Sequence, residues 1–218
     1  MMKRTHKWIL AVAFGIAAIA LIVLLRTVDT APIGPDGATV GLSHFNRAVF
    51  EFFGVHLIWY DITDWLGVAA VLNAAVFAVA GLIEWIRRKS LFKVDRELLI
   101  LGGLYLIVIG LYLLFELCPV NVRPILLPGS THPAPSFPSS HTMIVCVIMG
   151  STMTLIPRYI RQKRLCRLLQ ILCAVVIGVT IVGRLIAGVH WATDILGGCL
   201  IAAALWTAFS AAIQKEET

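Results

Sequence analysis

Six long apolar runs leave this chain few ways to fold. They lie approximately at Trp8 to Leu25, Leu66 to Ile86, Leu98 to Leu117, Ser140 to Ile156, Leu165 to Ile186 and Trp191 to Ile213. Each approaches the roughly 20 residues that a helix needs to cross about 30 Å of hydrocarbon. Inside a bilayer every backbone N–H and C=O must be satisfied within the protein, so runs of this length become helices rather than loops or open strands. The composition agrees, with 59% of 218 residues apolar and 14% charged, against about a quarter charged in soluble domains. The sequence therefore predicts an all-α polytopic membrane protein, one domain over residues 1–218, with six transmembrane helices. Lys3, Arg4 and Lys7 precede the first run as they would a secretory leader. That run is too long for an ordinary leader, and Thr30-Ala31-Pro32 is a poor cleavage site, so it reads as a span.

Orientation follows from the basic residues, because short cytoplasmic loops collect Lys and Arg. Lys3, Arg4 and Lys7, the 87–96 connection, the 158–167 connection and Lys215 place fourteen basic residues on one side, while Arg26, Arg47, Arg123 and Arg184 are the four on the other. Both termini are thus expected in the cytoplasm of a cell or inner membrane. The formal net charge of +6 reads as this topology signal and as affinity for anionic headgroups. No basic stripe or aromatic platform suits nucleic acid, and no such partner is expected. Cys118, Cys146, Cys166, Cys173 and Cys199 lack metal-binding or redox spacing and read as small hydrophobes.

Between the first two spans, Thr27 to Gly41 is broken by Pro32, Gly34, Pro35 and Gly37 and reads as a loop. Phe45, Val49, Phe52, Phe53 and Leu57 then recur at helical spacing, which predicts an amphipathic helix in the outer interface or packed over the bundle. Trp59, Tyr60 and Trp65 suit an aromatic belt, and Thr63 or Asp64 is the expected cap of the second span. The third outer connection, 119–139, holds six of the nine prolines, so it is stiff without being helical.

Polar chemistry gathers at the outer ends of these spans. Arg123 lies in the proline-rich loop, Ser139, Ser140 and His141 open the fourth span, Arg184 closes the fifth, and His190 and Asp194 begin the sixth. Ionisable groups at a membrane edge are costly, so their convergence points to function. His190 and Asp194, four apart, share a helix face; a carboxylate there can hold Nδ1–H and leave Nε2 as nucleophile. Arg123 and Arg184 carry guanidinium forks that match phosphate oxygens. The Ser139-Ser140 turn offers hydroxyls and free N–H groups at a helix start. His141 is placed to protonate a leaving oxygen. These groups can stabilise a phosphoryl transition state without a metal or other cofactor.

The chain resembles the type 2 phosphatidic acid phosphatase superfamily, whose signature is K-x6-R-P, then P-S-G-H, then S-R-x5-H-x3-D. Arg123 and Pro124 match the first motif, Pro138, Ser139 and His141 the second, and Arg184, His190 and Asp194 the third. The likeness covers about Leu98 to Ile213. It implies a phosphohistidine at His190, orientation by Asp194, leaving-group protonation by His141, and phosphate binding by Arg123, Ser139, Arg184 and the N–H of Ser140. Three positions depart: Glu116 replaces lysine, Ser140 glycine and Gly183 serine. Glu116 is expected to position Arg123, and Gly183 to cost a hydroxyl or make room for a bulkier headgroup. The resemblance implies a phosphatase acting at the outer face on phosphatidic acid, diacylglycerol pyrophosphate, phosphatidylglycerol phosphate or a polyprenyl pyrophosphate. The rivals are a headgroup-binding or translocating protein without turnover, a lipid-to-lipid phosphotransferase, and a haem protein ligated by His141 and His190. Oligomeric state stays open; Gly198 and Ala202 form a small-xxx-small pair that can pack helices within or between chains.

Overall fold

The computed structural model describes residues 2–127 and 129–214; Pro128 and Lys215, both used in the sequence reading, lie outside them. The described residues form seven α-helices: α1 (Arg4–Thr27), α2 (Ser43–Phe53), α3 (Leu57–Arg88), α4 (Arg96–Leu117), α5 (Ser140–Tyr159), α6 (Lys163–Ala187) and α7 (Ala192–Ala212). All but α2 are long and apolar enough to span a membrane. No strand longer than an isolated bridge occurs among the described residues.

α5 is the central helix. Its apolar window is 67% buried, against 11% for α3 and α6, so its neighbours turn most of their surface to lipid. α5 packs against α6 and α7, α1 lies along α7, and α3 crosses both α5 and α6, while α4 is more loosely attached. Lipid tails are as apolar as leucine, so association rests on close contact rather than on escape from water. Small residues supply that contact. A Cβ on Gly150 of α5 would come within 2.6 Å of the Trp206 ring of α7, and one on Gly198 of α7 within 2.9 Å of the Ser139 carbonyl oxygen. Gly198 therefore packs helices within this chain.

The start of α1 and the end of α7 lie on one face, where Lys7 Nζ donates to the Ser210 carbonyl oxygen (3.3 Å) and Arg96 to that of Ala212 (3.0 Å). The opposite face collects the starts of α3, α5 and α7 and the ends of α1, α4 and α6. There α2 both docks and faces outward. Asn46 is buried, donating to the Gly41 carbonyl oxygen (2.9 Å) and to Thr193 Oγ1 (3.0 Å), and the Phe50 ring packs 5.6 Å from that of Trp191. Phe45 and Phe52 stay exposed on the far side.

The second span starts earlier than its hydropathy suggests. α3 begins at Leu57, which belongs to it and not to α2, so Thr63 and Asp64 lie inside the helix and cap nothing. The Thr63 hydroxyl bonds back to the Trp59 carbonyl oxygen (2.7 Å), a use of threonine that a continuing helix permits. Asp64 has partners on other helices, described below.

Candidate active site

The proline-rich loop folds back on itself. Arg123 N–H donates to the Ala134 carbonyl oxygen and Ser136 N–H to that of Asn121, each at 3.0 Å, so residues 121–123 run beside 134–136. Trp191 Nε1 ties this clasp down through the Val122 carbonyl oxygen (2.7 Å). Below it, Ser139 precedes α5, fully buried; its N–H donates to the Asp194 backbone oxygen (2.9 Å) and its hydroxyl accepts from Thr142 Oγ1 (3.0 Å). α6 ends at Gly188, whose φ of 67° is the left-handed turn that glycine adopts freely. A Cβ there would also lie 2.3 Å from the Gly54 carbonyl oxygen. This tight reversal drops His190 between the clasp and the start of α7.

His190 is buried with Nδ1 3.1 Å from the Ser136 carbonyl oxygen. A carbonyl only accepts, so Nδ1 carries the proton and Nε2 keeps its lone pair. Asp194 stands farther off, with Oδ2 3.8 Å from Nδ1. Its carboxylate instead accepts the Trp191 N–H (2.9 Å) and the Asn121 amide (3.3 Å), closing the first turn of α7 as a capping box does. The spacing predicts that Asp194 orients His190; in the structure the Ser136 carbonyl oxygen is the nearer partner of Nδ1, with the Asp194 carboxylate behind it. Burial lowers the His190 pKa below its ordinary value; Asp194 pulls it up, and Arg123 and Arg184 push it down. His190 is neutral at neutral pH.

Arg123 and Arg184 lie close enough to this imidazole to act on its charge, and both carry unpartnered nitrogens. Among the described residues, Nε and Nη1 of Arg123, Nε and Nη1 of Arg184, Nδ1 of His141 and Nε2 of His190 are buried without a hydrogen-bond partner. Burying one polar nitrogen unpaired costs on the order of 1–3 kcal/mol, so a cluster of them marks a place for an anion. Arg184 is wholly buried; its Nη2 pairs with Asp64 and its guanidinium lies 4.8 Å from the Tyr60 ring centroid. His141 Nε2 meets the same Asp64 oxygen at 3.1 Å. Arg123, Ser140 and His190 line one small cavity with Glu116 and Tyr112.

Glu116 thus faces the site, but no hydrogen bond or ion pair joins it to Arg123 among the described residues. Nor does Gly183 open space for a headgroup: a Cβ there would lie 2.6 Å from Thr63 Cγ2 and 3.1 Å from the Trp59 ring. α3 fills the room a side chain would take. The sequence reading missed Asp64, Tyr60, Ser136 and Asn121. For Asp64 a signal existed, a carboxylate at the edge of an apolar run; the Ser136 carbonyl left none, since any residue supplies one.

Apolar clefts of about 270 and 280 Å³ run between α3 and α4. Tyr105 lines both, and Tyr112 lines the nearer cleft and the Arg123 cavity alike.

The sequence profile of the PAP2 superfamily matches residues 97–217. The crystal structure of a transmembrane PAP2-type phosphatidylglycerolphosphate phosphatase from Bacillus subtilis superposes with a TM-score of 0.59 at 18% identity, covering 90% of this chain and 92% of that one. That likeness is one of fold. Among curated proteins nothing matches significantly.

Proposed function

The chain belongs to the PAP2 superfamily, and we propose that it is a membrane phosphatase that hydrolyses a lipid phosphate or pyrophosphate through a phosphohistidine at His190. The observation that carries this reading is the set of buried, unpartnered nitrogens of Arg123, Arg184 and His141 beside the free Nε2 of His190. A phosphoryl group, with its equatorial oxygens and spread charge, satisfies the arginine donors best in the transition state and offers its phosphorus to the Nε2 lone pair of His190.

Nε2 of His190 attacks phosphorus as the bond to the leaving oxygen breaks, and that oxygen takes a proton from His141. The Nδ1–H bond to Ser136 and the Asp194 carboxylate stabilise the charge that the attacked imidazole acquires. Water then cleaves the phosphohistidine, giving its proton to His141 and releasing phosphate. Arg123, Arg184, the Ser139 hydroxyl and the Ser140 N–H hold the phosphoryl oxygens, a set that needs no metal. The apolar clefts beside Tyr112 favour a substrate with hydrocarbon chains, such as phosphatidic acid, diacylglycerol pyrophosphate, phosphatidylglycerol phosphate or a polyprenyl pyrophosphate. The basic-residue asymmetry supports a site on the outer face of a cell or inner membrane, with both termini cytoplasmic.

Phosphate release from these four lipids by the detergent-solubilised protein, in chelator, tests the reading against His190→Ala. Release that survives chelator and disappears in the variant supports it. Lipid binding with no release would favour a binding or translocating protein. Transfer of label to a second lipid instead of water would favour a phosphotransferase.

A further inference from the structure

One face of α3, outside the 97–217 match to the superfamily, is built into this site. Thr63 and Asp64 each stand three or four residues from both Tyr60 and Gly67, so the four share a helix face. The Tyr60 ring lies 4.8 Å from the Arg184 guanidinium. Thr63 occupies the space beside Gly183, and a Cβ on Gly67 would come within 3.0 Å of the His141 ring. Asp64 lies between these contacts, and its Oδ1 pairs with both Arg184 Nη2 and His141 Nε2.

We propose that Asp64 is a positioning residue of the reaction: one carboxylate oxygen fixes the phosphate-binding arginine of α6 relative to the leaving-group acid of α5. The assignment rests on the phosphatase reading. Arg184 is wholly buried while Asp64 is 38% exposed in its side chain, so the carboxylate is a wall of the site rather than part of the core. A buried guanidinium is tolerable only when paired, and Asp64 is the carboxylate it meets. The same oxygen decides which nitrogen of His141 works. Nε2–H is donated to Asp64, so the imidazolium's other proton sits on Nδ1, which is buried without a partner. Nδ1–H passes to the leaving oxygen, and the neutral ring keeps its Nε2–H on Asp64. Gly183 fits this arrangement: without its Cβ, α3 comes close enough for Asp64 to reach both partners.

The test compares Asp64→Asn and Asp64→Glu with the native protein on a lipid phosphate that it hydrolyses, reading kcat and KM separately and melting temperature in detergent. Asp64→Asn should lower kcat about 10²-fold with KM within a few-fold, the loss expected for a misplaced transition-state donor. Asp64→Glu, which keeps the charge, should recover at least tenfold of it. In an Arg184→Ala background Asp64→Asn should cost far less, because positioning acts through the arginine. Native-like turnover in Asp64→Asn would overturn the assignment. So would a lower KM with stronger inhibition by inorganic phosphate, since the carboxylate would then merely occupy the phosphate's place. Should Asp64→Asn fail to fold, Asp64→Glu decides: a several-fold kcat loss that vanishes in the Arg184→Ala background supports positioning, and unchanged kcat overturns it. An inactive native protein would overturn the phosphatase reading and this assignment together, whereas an active one indifferent to Asp64 overturns this assignment alone.

Discussion

His190 presents Nε2 to a cluster of guanidinium groups because its other nitrogen is committed to the Ser136 carbonyl oxygen. Its pKa is lowered by burial, which sets the sign of the acid limb. As the proposed nucleophile, His190 is neutral above the lowered value and is lost as pH falls through it. The acid limb of kcat/KM should therefore lie below the ordinary imidazole value of about 6.5, and a limb above 7 in a pH–rate profile would contradict that. Truncating Arg123 or Arg184 to alanine should lower kcat by roughly 10²–10³, as loss of one transition-state donor does elsewhere. Glu116 lines the same cavity with its carboxylate unpaired among the described residues, so it opposes an incoming phosphate. Glu116→Gln should lower KM several-fold with kcat little changed, which initial-rate kinetics on a single lipid phosphate will show.

Helix ends and crossings decide where these residues stand. The starts of α5 and α7 are joined by the Ser139 N–H on the Asp194 backbone oxygen, and the proline-rich clasp is pinned across them by Trp191. α3 closes the third side through Thr63 against Gly183. Gly183→Ser would restore the serine of the superfamily motif yet place its Cβ 2.6 Å from Thr63 Cγ2. Overpacking of this kind costs about 1–3 kcal/mol. The variant should melt lower in detergent and lose turnover as α3 shifts Asp64. Adding Thr63→Ser, which removes that methyl, should restore part of both; a stable and fully active Gly183→Ser would show that α3 yields without cost.

Across the whole molecule, the candidate site lies on the face opposite the start of α1 and the end of α7, and the proposed orientation, argued from the positive-inside asymmetry, puts that face outside. Cys118 follows α4 on this face and is exposed, whereas Cys146 and Cys173 are buried. A membrane-impermeant thiol reagent applied to intact cells should label the protein, and Cys118→Ser should abolish the labelling. Labelling only after permeabilisation would reverse the orientation. Hydropathy and spacing by themselves determined the six spans and the amphipathic α2, and the motifs carried the resemblance to the superfamily that the profile match shows. Such signals are periodic or local, and each span buries its own backbone hydrogen bonds whatever its neighbours do. Only tertiary packing decided that α3 starts at Leu57, that Asp64 bridges Arg184 and His141, and that the Ser136 carbonyl oxygen stands nearer than Asp194 to the His190 Nδ1. These contacts join residues 54 to 120 positions apart, on elements whose relative rotation depends on which glycines let backbones touch. A one-dimensional pattern carries the polar groups to the membrane edge, but the choice of partner there is a matter of ångströms between helices.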